Sequence, residues 1–188
     1  MKRIVFVLLF TALGTLPAVA ALQAGDAAPK FEARASLAGE EFDYSLASAL
    51  EKGPVVVYFY PSAYTRGCNI QAHEFAVNMD KFKAAGASVI GVSLDSIERL
   101  NDFSADPEYC AGELAVASDA SGKIAASFDI NVRAIREGAK DTRGVAIDHD
   151  TAERMTFIVT ADGEISETIG GVSPFENVQK SLEAVQNL

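Results

Sequence analysis

The chain has 188 residues, of which 49% are apolar and 22% charged, and a formal net charge of −10. A surface this acidic repels phosphate backbones, which argues against a nucleic-acid partner. The length suits one domain with a sizeable core, and beyond residue 20 no stretch approaches the ~20 apolar residues of a membrane span.

Met1-Lys2-Arg3 is a basic start, residues 4–13 are a short apolar run, and Pro17-Ala18-Val19-Ala20 places small residues at the spacing of a cleavage site. This is the pattern of a secretory signal peptide over residues 1–20, leaving 21–188 as one domain. An uncleaved anchor is the rival reading; a lipid anchor is not expected, since no cysteine lies at the site. Export would place the protein in an oxidising compartment, expected to be the bacterial periplasm. The two cysteines, Cys68 and Cys110, would then suit a disulfide or redox chemistry.

Residues 22–34 read as an extended lead, and 42–50 as containing a short helix capped near Ser45. The β-branched and aromatic run 55–60 reads as a buried strand that ends at Pro61. Residues 69–85 carry Ile70, Phe75, Val77, Phe82 and Ala85 among polar residues and predict a helix closed near Gly86. Residues 88–94 predict a second buried strand, followed by a helix over 97–103 capped by Asp95 or Ser96 and ended by Asp106-Pro107. A short strand over 114–117 and a short helix over 121–128 come next. Residues 131–153 show no period and read as a polar surface loop with short structure. Residues 154–159 and 164–169 predict a hairpin turning at Asp162-Gly163, and 174–185 a terminal helix. The alternation predicts an α/β fold with a central, mostly parallel sheet, an antiparallel edge hairpin and helices on both faces.

Cys68 therefore sits in the first turn of a helix just past the carboxyl end of a buried strand. Ligand sites of open α/β sheets lie at such edges, and a helix N-terminus favours a thiolate, the reactive form of cysteine. Proline, threonine and cysteine stand at Pro61-x-x-x-Thr65-x-x-Cys68. With the opening Gly25…Pro29…Phe31, the Glu74-Phe75 pair and the arginine-bearing strand Arg154-Met-Thr-Phe-Ile-Val159, they cover nearly all of 21–188. This pattern resembles the peroxiredoxins of the AhpC/TSA superfamily, and within them the bacterioferritin comigratory protein (PrxQ) branch.

The resemblance implies a thioredoxin-like fold and a cysteine-dependent peroxidase that reduces hydrogen peroxide and organic hydroperoxides without a metal or organic cofactor. It implies Cys68 as the peroxidatic cysteine, Thr65 and Arg154 as the residues that hold peroxide and thiolate, and Pro61 as a shield over the sulfur. The Thr65 hydroxyl would accept the peroxide proton and donate to sulfur. Glu74 is expected to pair with an arginine or to charge the first turns, and the resemblance favours a role in orienting Arg154. Many members of this branch carry a resolving cysteine where this chain has His73. Others carry it in the region of Cys110, which is therefore expected to form an intramolecular disulfide with the oxidised Cys68. An inert buried Cys110 and a permanent bridge remain alternatives. The reductant would be a thioredoxin-like or other dithiol protein, and the chain a monomer or weak dimer. The rival function is a redox-inactive or chaperone-like binding protein on the same scaffold.

Remaining candidates weigh less. His73 reads as a helix residue near the site rather than a metal ligand, since one sulfur and one imidazole are too few. His149, between Asp148 and Asp150, reads as a solvated loop residue. Arg66 is adjacent to the site or merely faces solvent, Arg133 and Arg136 read as surface charges, and Phe59 and Tyr64 as packing groups.

Overall fold

A computed structural model describes residues 21–188; the expected signal peptide lies outside the described residues. A seven-stranded sheet organises the chain, its strands side by side in the order Glu40–Ser45, Glu32–Leu37, Ala115–Ser118, Ser88–Ser93, Val55–Phe59, Met155–Val159 and Ile165–Gly170. Its centre follows from the alternation in the sequence. Strand β3 (Val55–Phe59), helix α2 (Arg66–Ala84), strand β4 (Ser88–Ser93), helix α3 (Ile97–Ala105) and strand β5 (Ala115–Ser118) form two crossovers, so β3, β4 and β5 are parallel. Every residue of β3 is buried, and the pleat sends Val56 and Tyr58 to one face and Val55, Val57 and Phe59 to the other. Strands β8 (Met155–Val159) and β9 (Ile165–Gly170) form the expected antiparallel edge beside β3.

The opposite edge is a second antiparallel hairpin, β1 (Glu32–Leu37) and β2 (Glu40–Ser45), which turns through Ala38 and Gly39 at positive φ. Parallel pairing is thus confined to the three central strands, narrower than the sequence suggests. The charged residues Arg34, Glu41 and Asp43 mask the strand pattern there; they pair across the exposed face instead. Ser45 caps α1 (Leu46–Leu50) as expected, and Ser96 rather than Asp95 caps α3. Helices α2, α3 and α5 (Pro174–Gln186) cover one face, while α1 and α4 (Lys123–Ser127) cover the other. Among the described residues no helix is long and apolar enough to cross a membrane.

Residues 131–153 carry the short structure expected of them. Strands β6 (Val132–Arg133) and β7 (Thr151–Ala152) pair at their root, a Lys140–Ala146 bridge crosses the middle, and Asp141 anchors the turn by accepting from the backbone N–H groups of Arg143 and Val145.

The register of β3 and β8 places the site. Phe59 pairs with Met155, so Arg154 lies at the carboxyl edge beside the residues that follow β3. Gly91 of β4 pairs with Tyr58, whose ring crosses over it; a β-carbon there would come within 2.6 Å of the ring and hydroxyl. Gly91→Ala should therefore lower stability by about 1–3 kcal/mol through overpacking, read as a lower urea midpoint at unchanged slope.

Candidate active site

Strand β3 delivers the chain to Pro61, half-buried at the sheet edge. Residues 62–66 then turn into α2 through Tyr64, which holds φ at +62°. A bulky residue in the left-handed region is strained and needs its neighbours to hold it. Its carbonyl accepts from the Thr142 N–H at 2.9 Å and the Thr142 hydroxyl at 2.7 Å. Its ring packs edge-on against Phe103 and Tyr109, and the Arg143 guanidinium lies over it, 3.2 Å from the ring centre. Tyr64 is a packing group, as expected, but one that packs a strained turn.

Thr65 is the N-cap of α2, yet its hydroxyl does not cap. It donates to the Ser62 carbonyl at 2.9 Å. A carbonyl only accepts, so the hydroxyl proton is committed there. Thr65 then offers lone pairs alone, which corrects the expectation that it also donates to sulfur. The first turn keeps its free N–H groups and has no acidic residue, so its dipole acts on the sulfur uncompensated.

Cys68 is 2% exposed, and Arg154 Nη2 donates to its Sγ at 3.3 Å. The guanidinium fits against the helix because position 67 is glycine. A β-carbon on Gly67 would stand 3.1 Å from Arg154 Nη2 and 3.4 Å from Pro174 Cγ. Glu74 does not orient Arg154: among the described residues its carboxylate makes no hydrogen bond or ion pair, and only its carbonyl is used, by Asn78. Gln71, one helical turn beyond Cys68 on the same face, takes that place. Its Oε1 accepts from Arg154 Nη1, and its Nε2 donates to Asn177 Oδ1 at 2.8 Å. Thr156 donates to the same oxygen at 2.8 Å, and Asn177 Nδ2 donates to the Ile169 carbonyl at 3.3 Å. The Ile169 carbonyl fixes the polarity of the whole chain, so both amide orientations follow and Gln71 must present oxygen to Arg154. Sequence reasoning missed Gln71, Thr156 and Asn177. The signal was there in Asn177, a buried polar residue beside Val178 and Leu182 on the inward face of α5.

Cys110 lies in the turns after α3, fully buried in the same apolar cluster as Cys68 and Tyr58, and both thiols are free. Burial pushes the Cys110 thiol well above its ordinary range, and the Asp106 charge adds to the shift. His73 is exposed and meets the Glu108 carbonyl at 3.1 Å, tying α2 to the Cys110 segment. Among the described residues no group of three or more metal-ligating side chains comes together.

His149 departs most from expectation. It is not solvated but packed against Asp95, which is fully buried. Asp95 accepts from the Ser62 hydroxyl, the Ala63 N–H, the Ser93 hydroxyl and His149 Nε2 at 2.7–2.8 Å, and the Arg99 guanidinium forms an ion pair with it, Nε standing 2.9 Å away without the angle of a hydrogen bond. Burial acts to raise its carboxyl, but these donors, led by His149, hold it below the usual carboxylate range. Arg99 also donates to the Ala63 carbonyl and pairs with Asp141. Arg66 and Arg133 lie at the surface as expected.

The profile of the AhpC/TSA family matches residues 24–168. The chain is 35% identical over 144 residues to peroxiredoxin Bcp of Escherichia coli, a match covering 77% of this chain and 83% of that protein. Among solved structures it is similar to peroxidoxin BcpB of Mycobacterium tuberculosis, with a TM-score of 0.74 at 26% identity over 89% of this chain and 98% of the other. It is also similar to Xanthomonas campestris peroxiredoxin Q, with a TM-score of 0.64 at 26% identity over 82% and 89%.

Gln71→Leu removes the acceptor that holds Arg154 and leaves the rest of the chain of amides in place. It should slow peroxide reduction by roughly ten- to a hundredfold, in line with the loss of a hydrogen bond to a charged group, while the fold, followed by circular dichroism, is retained.

Proposed function

The chain belongs to the AhpC/TSA family and is a thiol peroxidase, and we propose that Cys68 is its peroxidatic sulfur, served by Arg154, Thr65 and Pro61. The observation that carries this reading is the 3.3 Å contact between Arg154 and Cys68 at a helix N-terminus. A guanidinium there donates to the sulfur and, with its planar fork, can reach the peroxide oxygens as well. The Thr65 lone pairs accept the proton of the bound hydroperoxide, which turns its terminal oxygen towards sulfur. Attack forms the S–O bond and breaks the O–O bond. Sulfur loses two electrons and becomes a sulfenic acid, while the departing alkoxide, met by Arg154, takes up a proton and leaves as alcohol or water. Pro61, half-buried at the sheet edge, is proposed to shield the sulfur from bulk water.

Cys110 is the proposed resolving residue. Its thiol attacks the sulfenic sulfur, a disulfide forms and water leaves; a dithiol protein of the thioredoxin type then reduces the bridge. A disulfide requires the two Cα atoms within about 7 Å, and the first turn of α2 is expected to unwind as the bridge forms. Residues 1–20 have the pattern of an export signal, which would place this chemistry outside the cytoplasm. A mature N-terminus at Ala21, found by mass measurement of the exported protein, checks that placement.

Single-turnover mixing with one equivalent of peroxide tests the assignments together. Wild type should lose both thiols to a disulfide, Cys110→Ser should stop at the sulfenic acid, and Cys68→Ser should not react. Arg154→Ala should slow the first step by roughly a hundredfold or more. Arg133→Ala, which removes an exposed pair at 3.7 Å, should change it by no more than about twofold. Equal effects of the two arginines would refute the role given to Arg154.

A further inference from the structure

The Asp95 cluster lies outside the chemistry just described, yet it holds the segment on which that chemistry stands. Ser62 and Ala63 are anchored to Asp95 through a hydroxyl and an N–H, and the Ser62 carbonyl in turn receives the Thr65 hydroxyl proton. A path of direct hydrogen bonds therefore runs from His149 through Asp95 and Ser62 to the side chain that receives peroxide. The far end of this path is charged by geometry. His149 Nδ1 lies 2.7 Å from the Asp150 carbonyl and Nε2 lies 2.8 Å from the Asp95 carboxylate. Both partners are acceptors, so both ring nitrogens must carry protons and the ring is an imidazolium. A neutral ring would turn a lone pair on one of the two oxygens.

We propose that His149 is a positioning residue of the peroxidase: as an imidazolium it latches residues 134–150 to Asp95 and so fixes the 61–66 turn and the Thr65 lone pairs, and peroxide reduction weakens when it loses its proton. The inference rests on the peroxidase reading of Cys68.

The surroundings of the ring set the direction of the response. Asp95 faces it from the end of β4, the Arg99 guanidinium from α3, the Ser62 hydroxyl from the Cys68 turn, and Asp148 and Asp150 flank it on its own segment. Asp141 stands behind Arg99 and offsets part of that charge. Tyr60, near Asp95, is pushed far up by burial and stays neutral. Burial opposes the charge on His149, but the hydrogen bond and charge of Asp95 outweigh it and raise the ring above its ordinary value. The latch is therefore complete below about pH 6.5, the unfolded value, and is lost as pH climbs through the higher folded value.

The test compares the rate of Cys68 oxidation by peroxide with its rate of alkylation by iodoacetamide at each pH from 5 to 9, taken as approximate limits. The ratio cancels sulfur ionisation and reports positioning. In wild type it should fall about three- to tenfold as pH rises, with a midpoint that matches the titration of the His149 ring by NMR. The chain has two histidines, so a His73→Gln sample assigns the signals. His149→Gln, folded by its melting curve, should show the low ratio at every pH and no step. A wild-type ratio that stays level through the His149 titration overturns the inference without need of the variant, as does a step that survives in His149→Gln. Oxidation of wild-type Cys68 no faster than that of free cysteine overturns the peroxidase reading and this inference with it.

Discussion

Arg154 must bring a full positive charge to a sulfur that water hardly reaches, and much of the molecule on that side is arranged around this demand. A guanidinium has five donors and no acceptor, so aiming one N–H at Cys68 requires acceptors for others. Gln71 supplies one, and being an amide it adds no negative charge that would compete with the sulfur for Arg154. Its orientation is set by Asn177, whose own is set by the Ile169 carbonyl of β9. The backbone of an edge strand thus dictates, through two amides, where a cation on the neighbouring strand points.

A second constraint acts on the other partner. The turn between β3 and α2 is strained at Tyr64 and carries few contacts of its own. Its geometry is imposed by residues far away in sequence: Thr142 on the Tyr64 carbonyl, Arg143 on its ring, Asp95 on Ser62 and Ala63. Buried Asp95 is tolerable because four donors hydrogen-bond it and the Arg99 guanidinium pairs with its charge. Residues 131–153, outside the two crossovers, are therefore part of the active-site scaffold.

Local chemistry was legible where one segment carries its own signal. The buried run of β3, the serine caps of α1 and α3 and the glycine turn between β8 and β9 all state their roles within a few residues. What escaped depends on pairing between distant segments. The β1–β2 hairpin has charges where a periodic pattern is sought. His149 sits between two aspartates, which reads as solvated until the fold turns its ring inward to a third, Asp95. Glu74 looks like the natural partner of an arginine by charge, yet its neighbour three positions earlier points the right way. Direction on a helix decided that contest over charge.

The two apolar clusters lie on opposite faces of one sheet, and both sulfurs belong to the same one, with α2, α3 and α5. The other, built on Phe59, Phe128 and Phe157 under α1 and α4, contains no cysteine. Rearrangements that join the sulfurs thus need disturb only half the interior. The half built on Phe59, Phe128 and Phe157 would act as a keel, holding the strands in register through such a rearrangement without the chain unfolding as a whole.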